Sequence, residues 1–191
     1  MANVDTPFGL RPKRKLNGPY IATLMEFSTD SGDTVLLGIG DPVELIGEGD
    51  VINGRTYSRV ARAETGDKIA GVVVAVKPVT SASTIYREAS TQRIVQCEVG
   101  TDVVFEIQEV SGGTALTAAA IGLNCDFVVA DASTTTGRSG VELDNSTEAT
   151  TNTLDLKILG LINREDNAVG EHAKWEVMIN RSQWANQVAG V

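Results

Sequence analysis

His172 is the only histidine in the chain, so a general base or the partner of a nucleophile would be sought there first. It stands in a polar turn, Gly170-Glu171-His172-Ala173, and no G-x-S-x-G elbow accompanies it. A surface histidine is the simpler reading, and without a second histidine a His-rich metal site is excluded. Glu165 and Asp166 are adjacent carboxylates, but adjacency in sequence does not make an acid/base pair. Asp41, Glu44, Glu48 and Asp50 crowd one stretch, yet their spacing departs from the EF-hand loop and they read as solvated turn acids. Gly38-Ile39-Gly40 lacks the third glycine, the lysine and the following helix of a phosphate cradle, and Pro42 blocks a helix start. Cys97 and Cys125 fall outside any C-x-x-C spacing and read as two buried thiols rather than a disulfide. Asn145-Ser146-Thr147 fits the glycosylation pattern but reads as plain loop. The sequence therefore nominates no catalytic residue, no metal ligand and no cofactor site, and the expectation is a protein that is not an enzyme.

Charge narrows the partners. The net charge is −9; the first twenty residues carry +3 and the remainder −12. An acidic body repels nucleic acid, and the tyrosines and phenylalanines show no interleaving with basic residues that would make a stacking platform. No apolar run approaches the roughly 18 residues that would span a membrane. Asp5, Pro7 and Gly9 interrupt any signal-peptide core. No nucleic-acid or membrane partner is expected, and assembly in the cytoplasm is.

The elements that must carry these residues are short strands. Glycine numbers 19, Thr, Val and Ser abound, and turn clusters recur about every ten residues. The first twenty residues hold Pro7, Pro12 and Pro19, a spacing that disfavours both a helix and a central strand. They read as an extended arm, with Val4, Phe8 and Leu10 as apolar anchors and Arg11, Lys13, Arg14 and Lys15 as a basic cluster. That cluster can meet DNA or an acidic protein surface; composition leaves both open. Residues 21–92 read as a first β lobe, with Ile69 to Val76 as a fully buried strand and 79–92 as a polar connection. Residues 93–185 read as a second β lobe. It opens on a hairpin of Arg93–Val99 and Val103–Gln108 around Gly100-Thr101-Asp102. Thr114–Ile121 is its one short helix, capped by Thr114. Residues 131–153 form a long exposed loop, partly a hairpin, and Lys174–Asn180 a strand with Trp175, Val177 and Ile179 inward. Residues 186–191 form a C-terminal tail. The fold class is mostly β: an extended N-terminal arm, then a small β-barrel or sandwich body in two lobes.

Ala2-Asn3-Val4-Asp5-Thr6-Pro7-Phe8-Gly9-Leu10-Arg11-Pro12, followed by Leu16-Asn17-Gly18, resembles the start of tailed-bacteriophage head decoration, or cement, proteins. Gly40-Asp41-Pro42-Val43, Ile69 to Val74, Phe105-Glu106-Ile107-Gln108, Ile121-Gly122-Leu123-Asn124 and Asp166-Asn167 extend the resemblance to about Asn180. It implies a mostly-β virion protein on the exterior of the head, a homotrimer that clamps neighbouring copies of the major capsid protein and stabilises the lattice. The arm would then grip the capsid, or a sister subunit of the trimer, through Val4, Phe8 and Leu10, with the basic cluster facing capsid acids, and removal of residues 1–19 would leave the body folded. The rivals are a head–tail or tail component, a small β-rich hydrolase tested by His172→Ala, and a carbohydrate-binding module.

Overall fold

The computed structural model describes residues 3–185, so the tail at 186–191 lies outside the described residues. The fold is mostly β. Its strands are β1 (Arg11–Lys15), β2 (Gly18–Pro19), β3 (Leu24–Thr29), β4 (Pro42–Ile52), β5 (Arg55–Arg62), β6 (Gly71–Val76), β7 (Ile94–Glu98), β8 (Val103–Gln108), β9 (Asn124–Cys125), β10 (Phe127–Val128), β11 (Glu142–Leu143), β12 (Leu156–Leu161) and β13 (Lys174–Ile179). A closed barrel runs β3-β5-β4-β6-β7, and a six-stranded sheet runs β2-β1-β8-β13-β12-β9, with β10 and β11 paired beside it.

β4 and β5 form a hairpin whose two-residue turn is Asn53-Gly54, both at positive φ (51° and 76°). That is the turn whose twist matches the strands it joins. A bulge between Leu45 and Gly49, where Gly47 also takes positive φ, lets the strand run on to Ile52.

Two apolar cores lie on either side of β6. Phe27, Leu37, Val43, Val60, Val73, Val95 and Cys97 fill the barrel. Leu10, Phe105, Ile107, Phe127, Leu143, Leu156, Ile158, Trp175 and Val177 fill the space over the sheet, joined by Val72 and Ile69 from the barrel side. Successive β-strand side chains point to opposite faces, so Val72 and Val73 serve one core each. β6 is buried through Gly71–Val73, while Val74, Ala75 and Val76 are half-buried, so only its first half fits the expected fully buried strand.

The structure corrects several expectations. The segment read as an extended arm is extended but belongs to the body: β1 pairs antiparallel with β8, and Leu10 is fully buried. Pro12 is compatible with a strand here because it lies next to a β-bulge, between Pro12 and Arg14, and β2 pairs only with Arg14 and Lys15, leaving Pro12 at the sheet's open edge. The hairpin at 93–108 does not exist. β7 closes the barrel between β3 and β6, whereas β8 joins β1 and β13 in the other sheet, because alternation fixes which face a strand buries and not which neighbour it takes. The helix over Thr114–Ile121 reduces to one 3₁₀ turn at Ala118–Ala120, capped by Thr117 rather than Thr114; so short a segment cannot offset the cost of nucleating a helix. The stretch 131–153 is not an exposed loop, since Val141 and Leu143 are in the core and Ser139 and Asn145 are buried. The connection 79–92 is organised around the fully buried Arg87, whose guanidinium donates to the carbonyls of Val35, Asp30, Asp33 and Thr91.

Two predictions follow from this packing. Leu10→Ala should cost about 3 kcal/mol by transfer and cavity terms, while Val4→Ala, at an exposed position, should stay within about 0.5 kcal/mol; urea unfolding of the two variants reads the difference. Removing residues 1–19 takes away β1 with Leu10, so the truncated body should lose its cooperative transition instead of staying folded.

A third concerns pH. Burial pushes the Asp41 carboxyl up to about 6, against the opposing hydrogen bonds of Ser139 and the Gly38 amide. Burial also raises Asp155, and the Asp126 carboxylate adds to it. A carboxyl that holds its proton more tightly folded than unfolded gives stability that is complete below its unfolded pKa of 3.8 and is lost as pH rises through its folded value. Asp50 acts oppositely: the Arg59 hydrogen bond holds it down at about 2, so its contribution is lost on acidification. The urea midpoint should therefore be higher near pH ~5 than near pH ~8, and Asp41→Asn should flatten that slope.

Candidate functional site

The N-terminal segment is the feature to which the sequence assigns a role, and its seat can be followed residue by residue. Thr6 N donates to Gln108 Oε1 at 3.0 Å and Leu16 N donates to the Asp102 carbonyl at 2.8 Å, so the segment runs antiparallel along all of β8. Before it, Asn3 donates to the carbonyls of Ala168 and Glu171 and accepts from Ala168 N. At its middle, Leu10 N donates to Gly40 O at 2.9 Å. Gly40 has φ +100°, and a Cβ there would collide with the Phe8 carbonyl oxygen. Gly38-x-Gly40 is thus the point where the segment crosses the barrel, and its glycines serve close backbone approach.

The basic cluster finds its partners at home. Arg11 pairs with Glu106 at 2.5 Å, Lys13 and Arg14 with Glu176 at 3.2 and 2.7 Å, and Lys15 with Asp102 at 2.9 Å. Arg164 reaches Glu106 from the other side at 3.0 Å. The guanidinium of Arg11 also lies 4.8 Å from the centre of the Phe8 ring. The Arg14 hydrogen bond, and then Lys13, hold Glu176 below the usual carboxylate range. Neither DNA nor a capsid acid is needed to account for these four charges.

Among the sequence-nominated anchors, Leu10 and Phe8 are buried within the chain, and Val4 is exposed at the end near Ala168. Beside Phe8 and Leu10 a cavity of about 300 Å³ opens between barrel and sheet, lined also by Pro12, Tyr20, Ile39 and Val73, with Arg11 and Arg138 among its walls. Beyond Lys15 the surface turns apolar: Leu16, Ile21, Leu24 and Met25 are 57%, 68%, 46% and 44% exposed. Neither a family model, a curated protein nor a solved structure matches the chain.

The remaining candidates take structural places. Cys97 and Cys125 are free, buried in different cores, and burial pushes both thiols up, which makes them poor nucleophiles. Asn145 of the glycosylation pattern is buried, donating to Glu109 Oε1 at 3.2 Å and to the Val110 carbonyl. Glu109, which drew no notice in the sequence, is the hub of that corner, since it also accepts from Trp175 Nε1 and Leu116 N, both at 2.8 Å. Burial raises its pKa against those three donors. Asp41 is buried, whereas Glu48 and Asp50 pair with Arg59. Asp166 pairs with Arg164 at 3.3 Å. His172 is not a free surface histidine: it is half-buried at φ +59°, with Nδ1 3.5 Å from Asp5 Oδ1. Asp5 and Glu142 both stand beside it. No sequence signal groups these three, because they lie in three distant segments.

The charge arrangement is testable. Arg11→Met with Arg164→Met leaves the buried Glu106 without its cations and should cost about 3–5 kcal/mol. Adding Glu106→Gln to that pair should restore most of the loss, measured by urea unfolding at neutral pH.

Proposed function

We propose that the chain is a structural virion protein that binds the outer surface of a tailed-phage head, with the major capsid protein as its partner, and acts as a homotrimeric decoration protein that opposes dissociation of the lattice. One observation carries the reading. Three separate stretches that bear the resemblance meet at a single feature, the seat of the N-terminal segment. Phe8-Gly9-Leu10 lies against Gly40 of Gly40-Asp41-Pro42-Val43, and Arg11 and Thr6 bind Glu106 and Gln108 of Phe105-Glu106-Ile107-Gln108. A fourth, Asp166-Asn167, adjoins it: Asn167 donates to the carbonyls of Ile162 and Lys174, bracing the turn that holds Asn3. Motifs scattered through a sequence that converge on one piece of architecture support descent of that architecture as a unit.

The contact surface differs from the one expected of an arm. Phe8 and Leu10 are engaged internally and the basic cluster is paired, so the contact is assigned to exposed apolar side chains, of which Leu16, Ile21, Leu24 and Met25 follow the seated segment most directly in the chain. Exposed apolar side chains are candidates for protein contact where they lie together. Because a shell repeats its contacts many times, each can be modest while the lattice is firmly held, and a protein that binds only the assembled lattice stabilises it by mass action.

Heads of the phage that encodes the chain, assembled without it, should co-sediment with the purified wild-type protein and resist heat better once decorated. Changing Leu16, Ile21, Leu24 and Met25 together to serine should abolish co-sedimentation while leaving the fold's thermal midpoint nearly unchanged. Wild-type protein that does not bind such heads, or particle imaging that places it at the tail, overturns the reading; a quadruple variant that still decorates heads overturns the assigned face.

A further inference from the structure

Asp5, Glu142 and His172 come from the N-terminal segment, β11 and the turn before β13, and one ligand-capable atom of each lies within 4.8 Å of the other two. Asp5 Oδ1 and His172 Nδ1 are 3.5 Å apart, which is close to the roughly 3.4 Å that separates two ligands on one tetrahedral ion at bonds of about 2.1 Å. A single nitrogen marks the middle of the group. Gln108 Nε2 donates to Asp5 Oδ1 at 2.9 Å and to Glu142 Oε1 at 2.8 Å, and it stands 3.5 Å from His172 Nδ1. The two hydrogens of that amide are taken by Asp5 and Glu142, so a neutral amide balances only part of two carboxylates, and His172 Nδ1 stands beside them without a hydrogen from it.

Gln108 is fully buried and its Oε1 is held by Thr6 N, so the amide forms a fixed floor. Its nitrogen has no free lone pair; an ion would sit on the solvent side, where Asp5 is exposed, with water completing its coordination. An imidazole with two carboxylates suits zinc and its first-row neighbours, whereas calcium and magnesium take oxygen ligands throughout.

We propose that Asp5, Glu142 and His172 together bind one divalent transition-metal ion, zinc in particular, and that the ion fastens the N-terminal segment to the body. The site is independent of the capsid reading: it concerns how the chain holds its own first residues.

Metal-free protein, stripped with a chelator and dialysed, is titrated with Zn²⁺ alone by calorimetry, and its thermal midpoint is followed in parallel. Wild type should take up one ion and gain several degrees. Asp5→Ala and His172→Ala should each weaken binding at least tenfold. Asp5 is exposed, so its variant keeps the fold, which circular dichroism checks, and it remains informative if His172→Ala fails to fold. Co²⁺ in place of Zn²⁺ should give visible absorption bands that either variant loses. Absence of binding by the metal-free wild type overturns the proposal, as does binding that both substitutions leave undiminished.

Discussion

Glu106 on β8 and Glu176 on β13 stand directly opposite each other across neighbouring strands, and the seating of the first strand answers to that fact. Like charges in cross-strand register repel, and Glu106 is almost wholly buried, which adds the cost of stripping its water. The pair is tolerable only with cations on both sides. Arg164 supplies one; Arg11, Lys13 and Arg14 supply the rest, and they arrive on β1. Arg11 is in register with Glu106, so the first of three adjacent strands sets a cation beside the two acids carried by the next two. This is why a segment of charge +3 opens a chain whose remainder is −12: the excess at the start neutralises a deficit in the middle of the sheet.

That seating ties the two lobes together. The barrel is an insertion, since β1 and β2 precede it, β8 follows it, and both ends of the insertion return to one sheet. Three connections then hold barrel to sheet. Val72 and Val73 put one strand's two faces into two cores. Leu10 bonds to Gly40 on the barrel. The chain after β13 crosses back, with Ser182 bridged to Ile69, Gln183 Oε1 accepting from Leu45 N, and Trp184 Nε1 donating to the Ala70 carbonyl at 2.5 Å. The buried Glu98 adds a fourth, accepting from the Tyr20 hydroxyl at 2.6 Å and from Thr23 N, at the point where the chain passes from sheet to barrel.

The residues that declare themselves in the sequence are those whose neighbours are local. Trp175 and Val177 alternate with Glu176, and the structure buries the first two and leaves the third among the cations of the opposite face. Asn53-Gly54, which the reading of the sequence passes over, is an equally local signal for the β4–β5 hairpin, because a two-residue turn needs only its own φ angles. What the sequence hid was partnership at a distance. Gly100-Thr101-Asp102 has the composition of a hairpin turn, yet it joins strands of different sheets, and nothing in β7 or β8 alone says so. Leu10 reads as an anchor for another molecule because the residues that complete its core, from Ala63 and Ile69 to Trp175 and Val177, lie far along the chain. The Asp5, Glu142 and His172 group was invisible for the same reason, whereas the absence of a nucleophile motif around His172 could be read directly.

A segment seated in this way changes the thermodynamics of whatever the chain attaches to. An arm that folds only on its target loses conformational entropy at the moment of binding, on the order of 1–2 kcal/mol for each backbone residue fixed. Here that cost has been met within the chain, by the β1–β8 ladder, by Leu10 and by the ion pairs. The surface offered to a partner is then rigid, and association is opposed mainly by lost rigid-body freedom and desolvation. Leu16, Ile21, Leu24 and Met25 are exposed apolar side chains in the stretch from the end of β1 to the start of β3, and they present little polar surface to desolvate. The cations of β1 are spent on Glu106, Glu176 and Asp102, so any partner meeting this segment would find little free positive charge, and long-range attraction, screened within about 10 Å at 0.1 M ionic strength, would add little to the contact.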